Sequence, residues 1–252
     1  MSGTMVRRVA LVTLFATMAL ALTGCFAFRR VETPASEVTT ESKTIPKEGT
    51  SELDARFKMP VGLLNVDGKT AFLAEMTFES SNPDWLPTVS STESEGTSGT
   101  ATNLYVRVPG DLHGIPGRSN RYEWDVHIAP DVPSRLEFEL GAGESSIDLR
   151  GVDVRDLVVT TGLGETTLDV SGPRTNDLET FVKCGIGQVT IRVPSDIGVR
   201  VSGRQGGIGD LTADGFTMSG NELTNAAWPT SQTKIEIEVQ RGIGDVQIET
   251  VD

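Results

Sequence analysis

Cysteine is nearly absent, two in 252 residues, so this chain cannot be a small fold stapled by a disulfide framework. Histidine is equally scarce, with His113 and His127 far from any cysteine cluster, which makes a poor zinc set. Basic residues fall short: 22 Lys and Arg stand against 35 Asp and Glu, for a formal charge of −13. Phosphate binding needs a basic footprint, so nucleic acid is excluded as a partner. Aromatic residues are only 6% of the chain, leaving few platforms for stacking on sugars. Glycine, in contrast, is plentiful at 27 residues, with 12 prolines, and follows no three-residue period, which rules out collagen. With 37% hydrophobic residues and a mean hydropathy of −0.13, the chain reads as globular and all-β, many short strands punctuated by turns.

Arg7 and Arg8 precede an apolar run from Val9 to Leu22, the form of a secretory signal. At 14 residues the run is too short to cross ~30 Å of hydrocarbon. It ends in Leu22-Thr23-Gly24-Cys25, which resembles the bacterial lipobox, so cleavage before Cys25 and lipidation of its thiol are expected. Residues 1–24 are thus read as a lipoprotein signal peptide. Residues 25–51, rich in Ser, Thr, Pro, Glu and Lys without periodicity, are read as a flexible tether. Cys184, the remaining thiol, lies in a strand-like segment and is expected to be a small buried hydrophobe, not a nucleophile.

Five Gly-x-Gly corners recur: Gly141 and Gly143, Gly162 and Gly164, Gly185 and Gly187, Gly207 and Gly209, Gly242 and Gly244. Their spacing is 21, 23 and 22 residues, then 35. Three residues before the first glycine of the first, second, third and fifth corners stand Phe138, Val159, Val182 and Val239; six after all five stand Ile147, Leu168, Ile191, Ala213 and Ile248. These alternate with polar residues, so each unit reads as strand, glycine corner, strand. The fourth copy is out of phase, predicting an extra residue among Ser202 to Gly206. A unit this small cannot bury its own apolar face, and stacking the units predicts a right-handed parallel β-solenoid of ~22-residue rungs. The long last interval predicts a polar insertion from Met218 to Gln232 that loops out. Lys234 to Thr250 would then form the final rung, with one edge open to cap or partner.

Upstream, Leu53, Ala55, Phe57 and Met59 lead into Pro60-Val61-Gly62, a degenerate copy in which Pro60 aligns with the first glycine. The strand-like segments Ala71 to Phe78, Leu104 to Val108 and Tyr122 to Ile128 are expected as wider rungs or an antiparallel sheet, an N-terminal β cap. Residues 52–130 and 131–252 are therefore read as the cap portion and repeat portion of one continuous unit. The run from Ser134 to Glu144, its echoes at Gly162 and Gly185, and Phe78-Glu79-Ser80-Ser81-Asn82-Pro83-Asp84-Trp85-Leu86-Pro87 resemble the bacterial toast-rack domain family over about residues 50 to 252. The resemblance implies a β-solenoid. It also implies a relation to cell-wall-active antibiotic response proteins, where such domains join four membrane helices and help restrain an envelope-stress kinase.

After each corner come Glu144, Glu165, Gln188, Asp210 and Asp245, a mostly acidic column. Carboxylates suit Ca²⁺, but Gln188 interrupts the column, and acceptance of hydrogen bonds from corner N–H groups is favoured. The corners do not lead into helices, so they are not phosphate loops. No serine occupies a nucleophile elbow. Trp85 is expected to plug one end of the core, and His127 to sit on a strand surface. The sequence thus predicts no catalytic residues, metal or cofactor. It predicts a non-catalytic, extracytoplasmic module anchored to a bacterial membrane through Cys25, working as an interaction, sensing or scaffold element with an envelope protein partner. The rivals are a solenoid polysaccharide hydrolase or lyase, which needs paired carboxylates on an open face, and an adhesin-like surface protein.

Overall fold

A strand whose two halves bury opposite phases of its side chains must bend between them, and β2 does so. Leu53, Ala55, Phe57 and Met59 point inward before the corner, Leu64 and Val66 after it, so the alternation slips by one residue across Pro60 to Leu63. The structure, a computed structural model, describes residues 37–110, 121–204 and 207–252. The expected signal peptide, Cys25 and His113 lie outside them. The described strands are β1 (Thr39–Ile45), β2 (Glu52–Asp67), β3 (Ala74–Ser80), β4 (Thr88–Glu95), β5 (Thr100–Arg107) and β6 (Tyr122–Ile128) in the N-terminal part. The C-terminal part holds β7 (Ser134–Asp148), β8 (Val154–Asp169), β9 (Leu178–Lys183), β10 (Ile186–Pro194), β11 (Gly198–Arg204), β12 (Leu211–Ala213), β13 (Thr217–Ser219), β14 (Glu222–Thr224), β15 (Lys234–Gln240) and β16 (Val246–Val251). They form one open sheet, all-β apart from a single helical turn at Pro83–Trp85.

The parallel pairings place like positions over like. Phe57 pairs with Phe138, Phe138 with Val159, Val159 with Val182 and Val182 with Val239. Beyond the corner, Val66, Ile147, Leu168, Ile191, Ile248 and Ala213 succeed one another. The degenerate first copy takes its expected register, with Met59 opposite Leu140 and Gly62 opposite Gly143. Phe57 and Phe138 stack with ring centroids 5.2 Å apart. A continuous apolar core, fully buried in most of its members, runs between the two arms of the stacked strands.

The corners show why glycine is used. Gly143, Gly164, Gly187 and Gly244 all have positive φ, between 133° and 143°. A Cβ on Gly164 would overlap the carbonyl oxygen of Gly143, one on Gly187 that of Gly164, and one on Gly244 that of Gly187. The rungs therefore touch backbone to backbone at the corner, and any side chain there would push them apart.

The order of rungs differs from the order of the chain. After β9 and β10 comes not the fourth copy but the last: β15 pairs with β9 on one side and β11 on the other, and β16 lies between β10 and β12. The expected open edge at the final strands is thus corrected; they are interior. Burial explains the exchange. Ile235, Ile237, Val239, Val246 and Ile248 are all fully buried in the last copy. The fourth copy offers Gly203 at the Val239 position, with Leu211 and Ala213 only half-buried. At about 1.5–3 kcal/mol for each large aliphatic side chain buried, the stronger rung belongs inside and the weaker at the end. The extra residue expected in the fourth copy is present: Arg204 pairs with Gln240 and Ile208 with Ile243, so four steps on one strand match three on the other.

The insertion expected to loop out instead folds back on the exposed side of β11. Its strand β14 pairs antiparallel with Arg200 to Ser202, and β13 covers β14. Asn225 extends the pairing with its side chain, accepting from Val199 N at 2.9 Å and donating to Ile197 O at 2.7 Å. Trp228 is held under two cations, with Arg200 5.0 Å and Lys234 4.6 Å from its ring centre.

At the other end β2 meets two half-length partners, β5 along Glu52 to Lys58 and β6 along Leu63 to Asp67, both parallel. Antiparallel β4 lies outside β5, and β3 then β1 lie outside β6. Trp85 is buried there, edge-on to Tyr122 at 6.0 Å. The tether reading needs correction, because Thr39 to Ile45 within it pairs with the whole of β3. Its polar composition conceals a strand because an outermost strand needs backbone hydrogen bonds more than an apolar face.

Two measurements check this arrangement. Gly164→Val should destabilise the domain by about 3 kcal/mol or more, since strain at positive φ alone costs roughly 1–3 kcal/mol and the backbone overlap adds to it. Thr167→Ala, on the same strand but off the corner, should shift the melting temperature far less; equal shifts would refute the corner packing. In amide exchange, β15 and β16 should be among the slowest strands and β13 among the fastest. Fast exchange in β15 would place it at an edge.

Candidate interaction surface

At the five Gly-x-Gly corners both glycines lie against the neighbouring rung and the residue between them is turned outward, while at the first corner, Pro60-Val61-Gly62, Val61 packs partly against the core. In spatial order these residues are Val61, Ala142, Leu163, Ile186, Ile243 and Ile208, each paired with the next. Leu163 is 58% exposed, Ile186 50%, Ile243 50% and Ile208 72%. One exposed leucine is ordinary, but four branched aliphatics in register over adjacent rungs make a contiguous apolar ridge. The sequence expectations concern the glycines and their flanks and do not include this middle position. Its signal is nevertheless in the sequence, as Leu, Ile, Ile and Ile at the second, third, fourth and fifth corners.

Two residues beyond the ridge runs the acidic column, in the same rung order: Glu144, Glu165, Gln188, Asp245 and Asp210, all exposed. The expected acceptance of corner N–H groups occurs at Asp245, whose Oδ1 accepts from Asp210 N of the adjacent rung at 3.0 Å. Among the described residues no cation lies within ion-pair distance of Glu144, Glu165, Asp210 or Asp245, and no group of three or more His, Cys, Asp or Glu could hold a metal. The strand faces away from the corner are different. There Arg135 meets Asp156 at 2.9 Å and Arg192 meets Glu249 at 3.0 Å, while Arg56 meets Glu137. Such exposed pairs contribute little to stability, but they neutralise those faces and leave the corner negative.

A second ladder lies at the far ends of the rungs. Asp67, Asp148 and Asp169 each fold a turn by accepting the N–H two residues on, from Lys69, Arg150 and Ser171 at 3.0 to 3.1 Å. His127 ends this ladder, with Nδ1 2.6 Å from Asp67 Oδ1. Burial pushes the Asp67 carboxyl up, but the hydrogen bonds from His127 and Lys69 outweigh it and hold the group below the ordinary range. These contacts fasten turns.

Cys184 is half-buried and packs against the core, and burial raises its thiol to about 11, which favours the protonated form near neutrality. Glu52 lies under the β4–β5 loop, where Thr97 N and Ser98 N donate to its carboxylate at 3.1 and 2.6 Å. Those donors hold it below its usual range, the reverse of what a general acid on a glycosidic oxygen requires.

No helix among the described residues is long and apolar enough to cross a membrane. A crystal structure of a candidate cell adhesion protein from Clostridium sporogenes is similar, with 26% identity and a TM-score of 0.79 over 85% of this chain and 100% of that one. Candidate adhesins from Bacteroides fragilis and Parabacteroides merdae align over 85% and 86% of this chain and 98% and 97% of theirs, each at 10% identity. Their TM-scores of 0.32 and 0.22 carry no argument. No curated protein matches the sequence. The model of the N-terminal domain of toast_rack, DUF2154, matches residues 34–192, which take in the N-terminal cap and the first three clear rungs. The Gly-x-Gly stack is thus a toast-rack architecture, and this chain belongs to the toast-rack family.

Proposed function

We propose that this protein is a non-catalytic interaction module of the bacterial cell envelope, an extracytoplasmic β-solenoid anchored to a membrane by lipid on Cys25. In this reading the rungs average about 22 residues and coil to the right, the hand that parallel crossovers take. The in-register steps of 21 and 23 residues, from Gly143 to Gly164 and from Gly164 to Gly187, are consistent with that rung length.

One observation carries the reading: the row of exposed aliphatics at the corners. A domain selected only to fold would place polar side chains there, because the ridge contributes nothing to the core and invites association. A regular, rigid surface with an apolar ridge is suited to holding a partner. The similarity to a candidate cell adhesion protein supports a surface location and the same general use. Adhesion and scaffolding within the envelope are variants of this reading, separated by whether the partner belongs to the same cell.

Cys25→Ser should release the protein from the membrane fraction and abolish its acyl mass; an acylated, membrane-bound variant would overturn the anchor. A photo-reactive residue at Ile186 should give protein adducts in native membranes, while one at Asp54, on the opposite arm, should give few. Release of reducing ends from envelope polysaccharide by the purified protein, with no adduct at any outward position, would favour the hydrolase instead.

A further inference from the structure

The ridge also has a shape and a charge, and together they select a class of occupant. Neighbouring parallel strands lie about 4.8 Å apart, so Leu163, Ile186, Ile243 and Ile208 stand at nearly that interval along a line crossing the rungs. An α-helix laid along this line advances about 5.4 Å per turn, close to one turn per rung. An extended strand repeats its side chains on one face every ~6.7 Å and falls out of step within two rungs. The glycines on both sides leave shallow troughs with no side chains, where residues of a helix can straddle the ridge. On one flank lies the column of Glu144, Glu165, Gln188, Asp245 and Asp210, whose carboxylates have no ion-pair partner among the described residues, the Arg241 guanidinium beside Asp210 being bound instead to Gly209 O at 2.9 Å. The other flank is mixed, with Lys58 and Glu139 paired, then Thr160, Lys183 and Gln240.

We infer that the corner ridge is a docking surface for a basic amphipathic helix of a partner protein. Its apolar stripe, spaced i, i+4, i+7, lies on Leu163, Ile186, Ile243 and Ile208, and its Lys or Arg residues on one flank face the acidic column. The inference rests on the interaction reading above and specifies the partner's chemistry. A second copy of this chain is a poor occupant because each copy carries a net charge of −13. An anionic lipid surface is repelled by the same column.

The test uses the full lipidated chain on phosphatidylcholine nanodiscs and a fluorescent 18-residue helical peptide of leucine and lysine, its leucines forming one stripe, with empty nanodiscs as background. The peptide should bind, more weakly as salt rises, and the same peptide with glutamate for lysine should not. Ile186→Ser/Ile243→Ser should weaken binding at least tenfold, and both positions are exposed, so the fold should survive, as its melting temperature would show. Glu144→Lys/Glu165→Lys should weaken binding similarly and remove most of the salt dependence. Unchanged affinity in the serine variant, equal binding of the glutamate peptide, or no signal above empty nanodiscs would overturn the proposal. So would concentration-dependent dimers of the chain that the serine variant abolishes, because the ridge would then serve a second copy. Adducts from Ile186 together with a failed peptide would reject the basic helix and leave the interaction reading standing.

Discussion

Everything in this domain hangs on the contact between one corner and the next, where backbone packs on backbone without an intervening Cβ. The parallel ladders could form without it, but their two arms could not bend at the same place in every rung. Gly143 over Gly62, Gly164 over Gly143 and Gly187 over Gly164 fix that place. Once the corners stack, register is set along both arms, and the inward phase on one arm dictates the inward phase on the other. Phe57 meets Phe138 and Val66 meets Ile147 for the same reason.

Stacking is indifferent to sequence order, and burial decides the order. Every rung has a positive-φ glycine at the second corner position, from Gly62 to Gly244, so any copy could occupy any level that its connections reach. The last copy, with five fully buried aliphatic residues, gains most from neighbours on both sides. The fourth, with glycine in one core column and a three-residue second arm, gains least. The segment from Asp214 to Thr233 is long enough to let the chain pass beyond the end and return one level inward, and on the way it covers part of the exposed strand with β14 and Asn225. An interior last rung and a capped fourth rung are thus two results of one difference in apolar content.

Much of this was legible in the sequence. The corner glycines, the core columns around Phe138 and Ile147, the register of the degenerate copy at Pro60 and the burial of Trp85 all come from periodicity, because each repeats or lies where a local pattern must end. The level of Lys234 to Thr250 was not legible, since repeats state which residues correspond and not which copies are neighbours. Strand β1 was hidden because an outer strand of Thr, Ser, Glu and Lys has the composition of a linker. The ridge was hidden for another reason: between two corner-forming glycines the middle residue has the look of filler. Its chemistry counts only once the corner is known to project it outward.

That projection gives the middle residue its meaning. A core position is constrained by packing, and an outward position on a strand is constrained by its cross-strand pair. The corner residue escapes the first of these, because its flanking glycines already satisfy the stacking. Polar side chains would meet the needs of the fold at Leu163, Ile186, Ile243 and Ile208, and would also improve solubility. Aliphatic residues at all four expose surface that the domain does not need for its own stability, beside a column of acids that its own described cations do not neutralise. The physical demands of folding account for the glycines and leave the ridge between them unexplained, and a demand from outside the chain is what remains to account for it.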